Sequence, residues 1–594
     1  MTDQKFFSDL SDADVHAFRT SEEFDEQWYV SEYLDVGITG IDPARHYLWL
    51  GKSLGRYPSR AELEKARGIG LHWCIIATPH VLFIAHTLAE SLRRHGWSVD
   101  IHLDHPEYFT REYHHDYYIV MCAQMFDHLP PGEKRIIYQL EQSASSRWFS
   151  DQYLSDIENS FAVLEYSLQN ISFLESKGIS YPHVNYLPIG TSLTYHPKQE
   201  QEKDNDVLFY GDFKSCPRRQ RLLDLAETRF SVTRADTLFG EEMKNLIARS
   251  KLVLNLHYYE GAQLEMPRIQ ECISLGVPVV SEGTVDQNDY EYIEGAVTFF
   301  ETGDEEAMMA AIASVLEDPS EALCAVANAA VAWHRRHSFM FDRFLIGANL
   351  LPSDALDNMV SEPTTNGAIY ALSLPETIKR RQVFDLETRT PAMQVFDGIR
   401  RRPSWIGCGM SYKYLCQSAV KAEIDQFTIM EDDALLSPDH NDKMNIVLSY
   451  LDEQKGRWDI FSGVIAHLHD RTNILDVQHK NGIDFVTIDH MTSMVFNIYS
   501  DKAIKLIAEW NPNYDNAETN TIDRYLERSP LRTVVAHPYI VGHREELHST
   551  LWGFQNTQYS DMIAESEMKL GFLKEQWLDS NRPSKNLELV SKII

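Results

Sequence analysis

The stretch Phe427-Thr-Ile-Met-Glu431-Asp432-Asp433 sets three acidic side chains at the end of an apolar, strand-like run. Hard carboxylate oxygens suit Mg²⁺ or Mn²⁺, and a divalent ion bridging two phosphate oxygens stabilises a nucleoside diphosphate as it departs. The same residue types also follow strands merely to start a helix or to solvate a loop. The residues around the cluster therefore decide which reading holds.

Within residues 368–594 four features fall in order. A strand-like Ala368-Ile-Tyr-Ala-Leu-Ser-Leu374 leads into the polar turn Pro375-Glu-Thr-Ile-Lys379-Arg380-Arg381. Next come Trp405-Ile-Gly407-Cys408-Gly409-Met-Ser411-Tyr412-Lys413 and a helix ending near Glu423, then the acidic cluster. His490-Met-Thr-Ser493, Thr521-Ile-Asp523-Arg524 and a late His-Pro-Tyr-Ile-Val-Gly-His543 complete the series.

In this order the residues resemble glycosyltransferase family 25, the lipopolysaccharide and collagen β-galactosyltransferase group with a GT-A-type fold. The resemblance covers about 200 residues, is most specific in the Glu-Asp-Asp and Gly-Cys elements, and is marked by Tyr412 where the family usually has His. It implies that Asp433 is the main metal ligand, with Glu431 and Asp432 positioning the ribose or completing the shell. His543 is either a last metal ligand or a histidine hydrogen-bonded at a strand end. Arg380 or Arg381 would bind the diphosphate through paired guanidinium donors. Inverting transfer needs a carboxylate to take the acceptor's proton. Asp523 is the first choice, with Glu518 behind it and helix capping as the alternative use of Asp523.

Upstream, two α/β units in series are expected. Strand candidates at His72 onward, Ser98-Val-Asp-Ile-His-Leu103, 117–122, 134–139, 161–164 and 183–187 alternate with helical stretches. The second unit begins near Asp206 and continues through Leu252-Val-Leu-Asn255-Leu-His257 and Gly276-Val-Pro278-Val-Val, with helices over 304–350. This alternation predicts paired Rossmann-like domains with a cleft between them. Leu264-Glu265-Met-Pro267-Arg268-Ile-Gln-Glu271 and Tyr210-Gly211-Asp-Phe-Lys214 with Arg218-Arg219 resemble the donor site of GT-B glycosyltransferases over about 270 residues. The resemblance implies that Glu271 binds the nucleotide ribose and that Lys214 and Arg219 hold the diphosphate. Where the first glutamate of the family's pair belongs, this chain has Gln263; Glu265 or Glu260 would substitute after a loop shift. His257 either approaches the donor or satisfies a strand end.

At 594 residues the chain is too long for one core. A net charge of −33 argues against general attraction to nucleic acid or to an anionic membrane. Seven scattered cysteines, with no CxxC pair and no zinc spacing, fit a reduced, cytoplasmic protein. The N-terminus lacks a signal-peptide pattern and no apolar run reaches the roughly 18 residues of a span, so membrane contact would be peripheral, at the inner membrane. Residues 1–66 read as a small helical module, with Asp42-Pro43 a start and Gly51 a stop, and resemble an element met beside bacterial polysaccharide glycosyltransferases.

The expectation is a multidomain α/β chain: helical module 1–66, GT-B-like halves 67–195 and 196–350, linker 351–366 and a GT-A-like domain 367–594. Its expected ligands are a UDP-sugar donor, Mn²⁺ or Mg²⁺ in the last domain, and a glycan or lipid-linked glycan acceptor. One alternative keeps only the last domain catalytic, the GT-B-like part binding acceptor or partners. Another makes the whole chain a carbohydrate-binding or assembly scaffold.

Overall fold

A computed structural model describes residues 10–52, 54–67, 70–103, 112–196, 202–259, 261–290, 292–359 and 367–581. Glu260 and part of the expected linker lie outside the described residues. The chain forms two compact units, Met1–Phe341 and Asp342–Ile594. Their boundary falls inside the continuous helix Ser320–Gly347, ahead of the expected linker. Among the described residues no helix is long and apolar enough to cross a membrane, and no disulfide joins the seven cysteines.

The first unit opens with short helices capped by Ser11, Asp25 and Asp42, each side chain accepting a backbone N–H of its first turn. Pro43 at the next helix start continues through a π-turn to Gly51. The module's apolar residues, among them Val15, Phe24, Tyr29, Tyr33 and Val36, form their own small core.

A six-stranded parallel sheet follows: β1 His72–Ala77, β2 Ser98–Leu103, β3 Tyr117–Met121, β4 Arg135–Gln139, β5 Ala162–Glu165 and β6 Val184–Tyr186, in the order β2-β1-β3-β4-β5-β6. The second sheet has β7 Asn205–Tyr210, β8 Val232–Ala235, β9 Ser250–Asn255, β10 Val279–Glu282 and β11 Val297–Phe300, in the order β11-β10-β9-β7-β8. Each sheet reverses its strand order beside its first strand, and doubly wound sheets bind ligands at such a point, beyond the carboxyl ends of the strands. Strands buried on both faces explain the continuous apolar runs in the sequence.

Contacts join the two halves. Gln142 Nε2 donates to the Gln263 carbonyl at 2.9 Å, and the Gln263 amide N–H returns a bond to Gln142 Oε1 at 3.0 Å. The long C-terminal helix packs back on the first half, where a Cβ at Gly190 would lie 2.2 Å from His337 Cβ.

The second unit contains an eight-stranded mixed sheet. Its strands are β12 Ile369–Ser373, β13 Met393–Asp397, β14 Gln426–Glu431, β16 Ile460–Ser462, β17 Ile474–Lys480, β18 Ile483–Ile488, β19 Phe496–Ser500 and β20 Thr533–His537. The order is β13-β12-β14-β19-β16-β20-β18-β17. A separate two-stranded ladder pairs β15 Ala434–Leu436 with β21 Val541–His543. The Gly-Cys element opens the helix Ser404–Lys421, and its glycines permit close packing. A Cβ at Gly407 would sit 2.7 Å from Ile399 O, and one at Gly409 2.5 Å from Trp510 Cη2.

Candidate functional site

The acidic triplet emerges at the carboxyl end of β14, where Glu431 closes the strand and Asp432 and Asp433 are buried. Asp432 Oδ2 accepts from Ser373 Oγ at 2.7 Å, at the end of neighbouring β12. The β15–β21 ladder places Ala434 opposite His543, which brings that histidine to the cluster. Asp433 Oδ2 lies 3.3 Å from His543 Nε2, 3.0 Å from Asn556 Nδ2 and 3.0 Å from Arg380 Nη2. Glu431 feels the charges of its near neighbour Asp433 and of Asp523, which lies far along the sequence.

Burial pushes the Glu431 carboxyl up to about 8, reinforced by Asp433 and Asp523 and opposed by Arg380. Burial also disfavours charge on Asp433, but Arg380 and His543 outweigh it and hold that carboxyl well below the usual range. Among the described residues, Asp433 Oδ1 and His543 Nδ1 are buried without a hydrogen-bond partner. Asp433 and His543 stand side by side, one carboxylate oxygen and one imidazole nitrogen, and a divalent ion held there would keep further positions for phosphate oxygens and water.

Arg380 is committed. Its guanidinium pairs with Asp432 and Asp433, and Nη1 donates to the His548 carbonyl at 2.7 Å. It orders the carboxylates, whereas the sequence leads one to expect Arg380 or Arg381 at a diphosphate. Arg381 turns away, with Nε 3.3 Å from Asp385 and Nη1 3.6 Å from Asp397. Asp523 is half-buried in the first turn of Ile522–Glu527, where Oδ1 accepts from the Arg524 N–H at 2.8 Å. Glu518 is exposed in the short helix Ala517–Asn520, its N–H capped by the Asn516 side chain. Tyr412 is buried, its hydroxyl donating to the Met494 carbonyl at 3.0 Å, so it packs the core. Cys408 of the Gly-Cys element, and Tyr559, which nothing in the sequence singles out, feel the charges of Glu431, Asp433 and Asp523 and belong to this cluster.

A second polar cluster occupies the strand-order reversal of the second sheet, beyond β7 and β9. Gly211 has φ of 120°, and a Cβ there would lie 3.1 Å from Arg268 Nη2. That backbone favours glycine, and a side chain there would also push the Arg268 guanidinium by a few tenths of an ångström. Arg268 stands in the first turn of the helix Met266–Ser274, bonds Asn255 Oδ1 and lies over the Tyr210 ring. It is the cation best placed beside the Gly211 turn, and its position at a helix start next to Pro267 was the available signal. Arg219 is buried and donates to the Leu256 and Asp212 carbonyls. Lys214 is exposed and pairs with Asp236 at 2.8 Å.

Glu271 is half-buried and accepts from Tyr195 Oη at 3.0 Å; burial raises its carboxyl to about 7. Glu265 lies 2.8 Å from His257 Nδ1 and accepts from Asn255 Nδ2 at 2.7 Å. Burial opposes charge on Glu265, but these bonds and Arg268 hold its carboxyl low. His257 also contacts the Glu282 carbonyl at 3.1 Å, so it anchors Glu265 and the end of β9. Gln263 is buried and turns across to the first half, with Nε2 donating to Asn170 Oδ1 at 3.2 Å.

Residues 199–340 match the model of a family described as glycosyl transferase-like. No curated protein matches the sequence. Among solved structures, an alpha-glucosyltransferase in complex with UDP-glucose and DNA is 12% identical with a TM-score of 0.34, covering 47% of this chain and 100% of its own. Sucrose-phosphate synthase from Thermosynechococcus elongatus is 13% identical with a TM-score of 0.33, covering 47% and 99%. HepE from Anabaena in complex with UDP and glucose is 13% identical with a TM-score of 0.33, covering 47% and 100%. At these scores the likenesses carry no mechanistic weight. The chain is a multidomain α/β protein that carries a glycosyl transferase-like segment over residues 199–340.

Proposed function

We propose that this chain transfers a sugar, galactose or a similar hexose, from a UDP-sugar to a glycan or lipid-linked glycan in surface polysaccharide or lipopolysaccharide synthesis. The observation that carries this reading is the convergence of Glu431, Asp433, His543 and Asp523 on one buried cluster with an unsatisfied carboxylate oxygen. The glycosyl transferase-like match over residues 199–340 supports the reaction class.

In the second unit Asp433 and His543 would hold Mn²⁺ or Mg²⁺, with Glu431 and Asp432 beside the ribose or in the outer shell. When bound, such an ion supplies charge neutralisation for the leaving diphosphate. Arg380 fixes the Asp432 and Asp433 side chains. Asp523 takes the acceptor hydroxyl's proton as that oxygen bonds the anomeric carbon; the bond to the diphosphate breaks, and its electrons leave with UDP. Displacement inverts the anomeric centre. In the first unit Glu271 would bind a donor ribose and Arg268 a diphosphate, forming a second transferase centre. The reading includes a cytoplasmic location, with peripheral contact at the inner membrane for a lipid-linked acceptor.

A second reading leaves only the second unit catalytic, the GT-B-like part binding acceptor. Gln263 favours it, because its amide is used to join the two halves where the family's first glutamate belongs. The anomeric configuration of the product, read by NMR from an α-linked UDP-sugar, tests the inverting assignment. A β-glycoside whose formation is lost in Asp523→Asn is expected, and an α-glycoside insensitive to that substitution would place transfer elsewhere.

A further inference from the structure

Far along the sequence from the acidic cluster, in the first unit, Cys74, Asp100, His102 and His115 each present a ligand atom within 4.8 Å of the others. All four are buried, at 0%, 0%, 1% and 1% exposure, against one face of a parallel sheet where apolar side chains are the norm. The register explains their meeting. Cys74 of β1 lies opposite Asp100 of β2, and His102 follows two residues on, on the same face. His115 enters from the approach to β3, its carbonyl held by Lys134 Nζ at 3.0 Å.

The geometry is that of a contracted donor set. His115 Nε2 lies 2.9 Å from Asp100 Oδ1, and His102 Nε2 lies 3.3 Å from Asp100 Oδ2. Ligands about 2.0–2.3 Å from a tetrahedral Zn²⁺ are themselves about 3.3–3.8 Å apart, so small side-chain shifts would close the set. An outer shell already orients it. Tyr118 Oη sits 3.1 Å from His115 Nδ1, leaving Nε2 to face inward. Tyr33 Oη donates to Asp100 Oδ2 at 2.9 Å, and the Tyr33 ring packs edge-on against His102 at 4.7 Å. Partners of this kind fix the ring orientation and tautomer of ligating histidines.

We propose that Cys74, Asp100, His102 and His115 bind one Zn²⁺ in a closed structural site that fastens the N-terminal helical module to the first sheet. One sulfur, two imidazole nitrogens and one carboxylate suit zinc better than the harder Mg²⁺ or Mn²⁺. Four protein ligands leave no position for substrate, which marks the site as structural. The module is already tied there: Tyr33 comes from it, Arg56 Nε donates to the Ile101 carbonyl at 2.9 Å, and the Ile101 N–H donates to the Leu54 carbonyl at 3.0 Å.

Zinc content of the purified full chain, measured by mass spectrometry after dialysis, tests this. About one Zn²⁺ per chain is expected in the wild type and in Asp433→Asn, falling at least tenfold in His115→Ala and Cys74→Ser. Cobalt substitution supplies a second readout, whose wild-type arm needs no variant. Co²⁺ in the wild type is expected to show tetrahedral absorption together with a thiolate charge-transfer band, and folded Cys74→Ser to lack that band. A wild type without zinc and without the band, or a Cys74→Ser protein that keeps both, overturns the proposal and leaves a buried Asp–His network.

Discussion

Replacing Asp433 by Asn separates the metal role of the cluster from its structural role. The carboxylate meets Arg380, His543 and Asn556 through one oxygen, Oδ2, while Oδ1 is unsatisfied. Most of those partners keep other bonds in the variant. Arg380 retains Asp432 and the His548 carbonyl, and Asn556 Nδ2 retains the Arg544 carbonyl at 3.1 Å. Relief of the repulsion with Glu431 offsets part of the attraction lost to Arg380 and His543, so the metal-free variant should be less stable than the wild type, by no more than the about 3–5 kcal/mol of a broken buried ion pair. The difference appears with Mn²⁺. An ion present at about a hundred times its dissociation constant stabilises by about 2.7 kcal/mol. For a unit of the size of Asp342–Ile594, about 2–4 °C per kcal/mol gives a rise in Tm of roughly 5–10 °C. Calorimetry with and without Mn²⁺ should show that rise in the wild type and none in Asp433→Asn. A full Mn²⁺ shift in the variant would refute the assignment of Asp433 as a ligand.

Other expectations follow from single sites. Glu271 has its folded carboxyl raised from 4.5 to about 7, so the folded state holds the extra proton between those values. Its contribution is fully present below pH 4.5 and is lost as pH rises through about 7, by at most ~3 kcal/mol. Glu271→Gln should flatten the pH dependence of thermal unfolding over that window, and an unchanged slope would show the group to be ordinary. Gly409→Ala gains about 1 kcal/mol of helix propensity but drives a methyl into Trp510. The overpacking should dominate and lower stability in urea unfolding by about 1–3 kcal/mol; a stabilised variant would mean that Trp510 yields. Arg343 is buried and clamps Glu376 through bonds of 2.7 and 2.9 Å. Arg343→Leu should cost about 3–5 kcal/mol in the same assay, because it strands a buried carboxylate; a loss under about 1 kcal/mol would show that Arg400, 3.2 Å from Glu376, suffices.

Much of the architecture is legible because parallel strands write long apolar runs. The strands at His72, Ser98, Tyr117, Asn205 and Ser250 begin within two residues of where the sequence places them. The acidic cluster is legible for the same reason, since β14 ends at Glu431. What the sequence hides depends on side-chain direction and on pairing across long separations. Three consecutive basic residues, Lys379 to Arg381, do not reveal that helix phase turns Arg380 onto Asp432 and sends Arg381 to Asp397. The three-residue β15–β21 ladder that carries His543 to Asp433 is too short to leave a periodic signal. Gln263 reads as a departure from a family pattern, whereas its side-chain amide is spent on Asn170 and its backbone on Gln142 in the other half. Zinc spacing sought in local Cys and His pairs misses Cys74, Asp100, His102 and His115, which meet only once the sheet register is known.

Metal-dependent transfer at the second unit is tested most directly by release of UDP from a panel of UDP-sugars with glycan and lipid-linked acceptors, with and without Mn²⁺. The full chain, Asp433→Ala and Glu271→Ala are compared. The account predicts Mn²⁺-dependent turnover that falls at least a hundredfold in Asp433→Ala; a separate donor's turnover lost in Glu271→Ala would add the second centre. Turnover independent of metal and untouched by Asp433→Ala would contradict it.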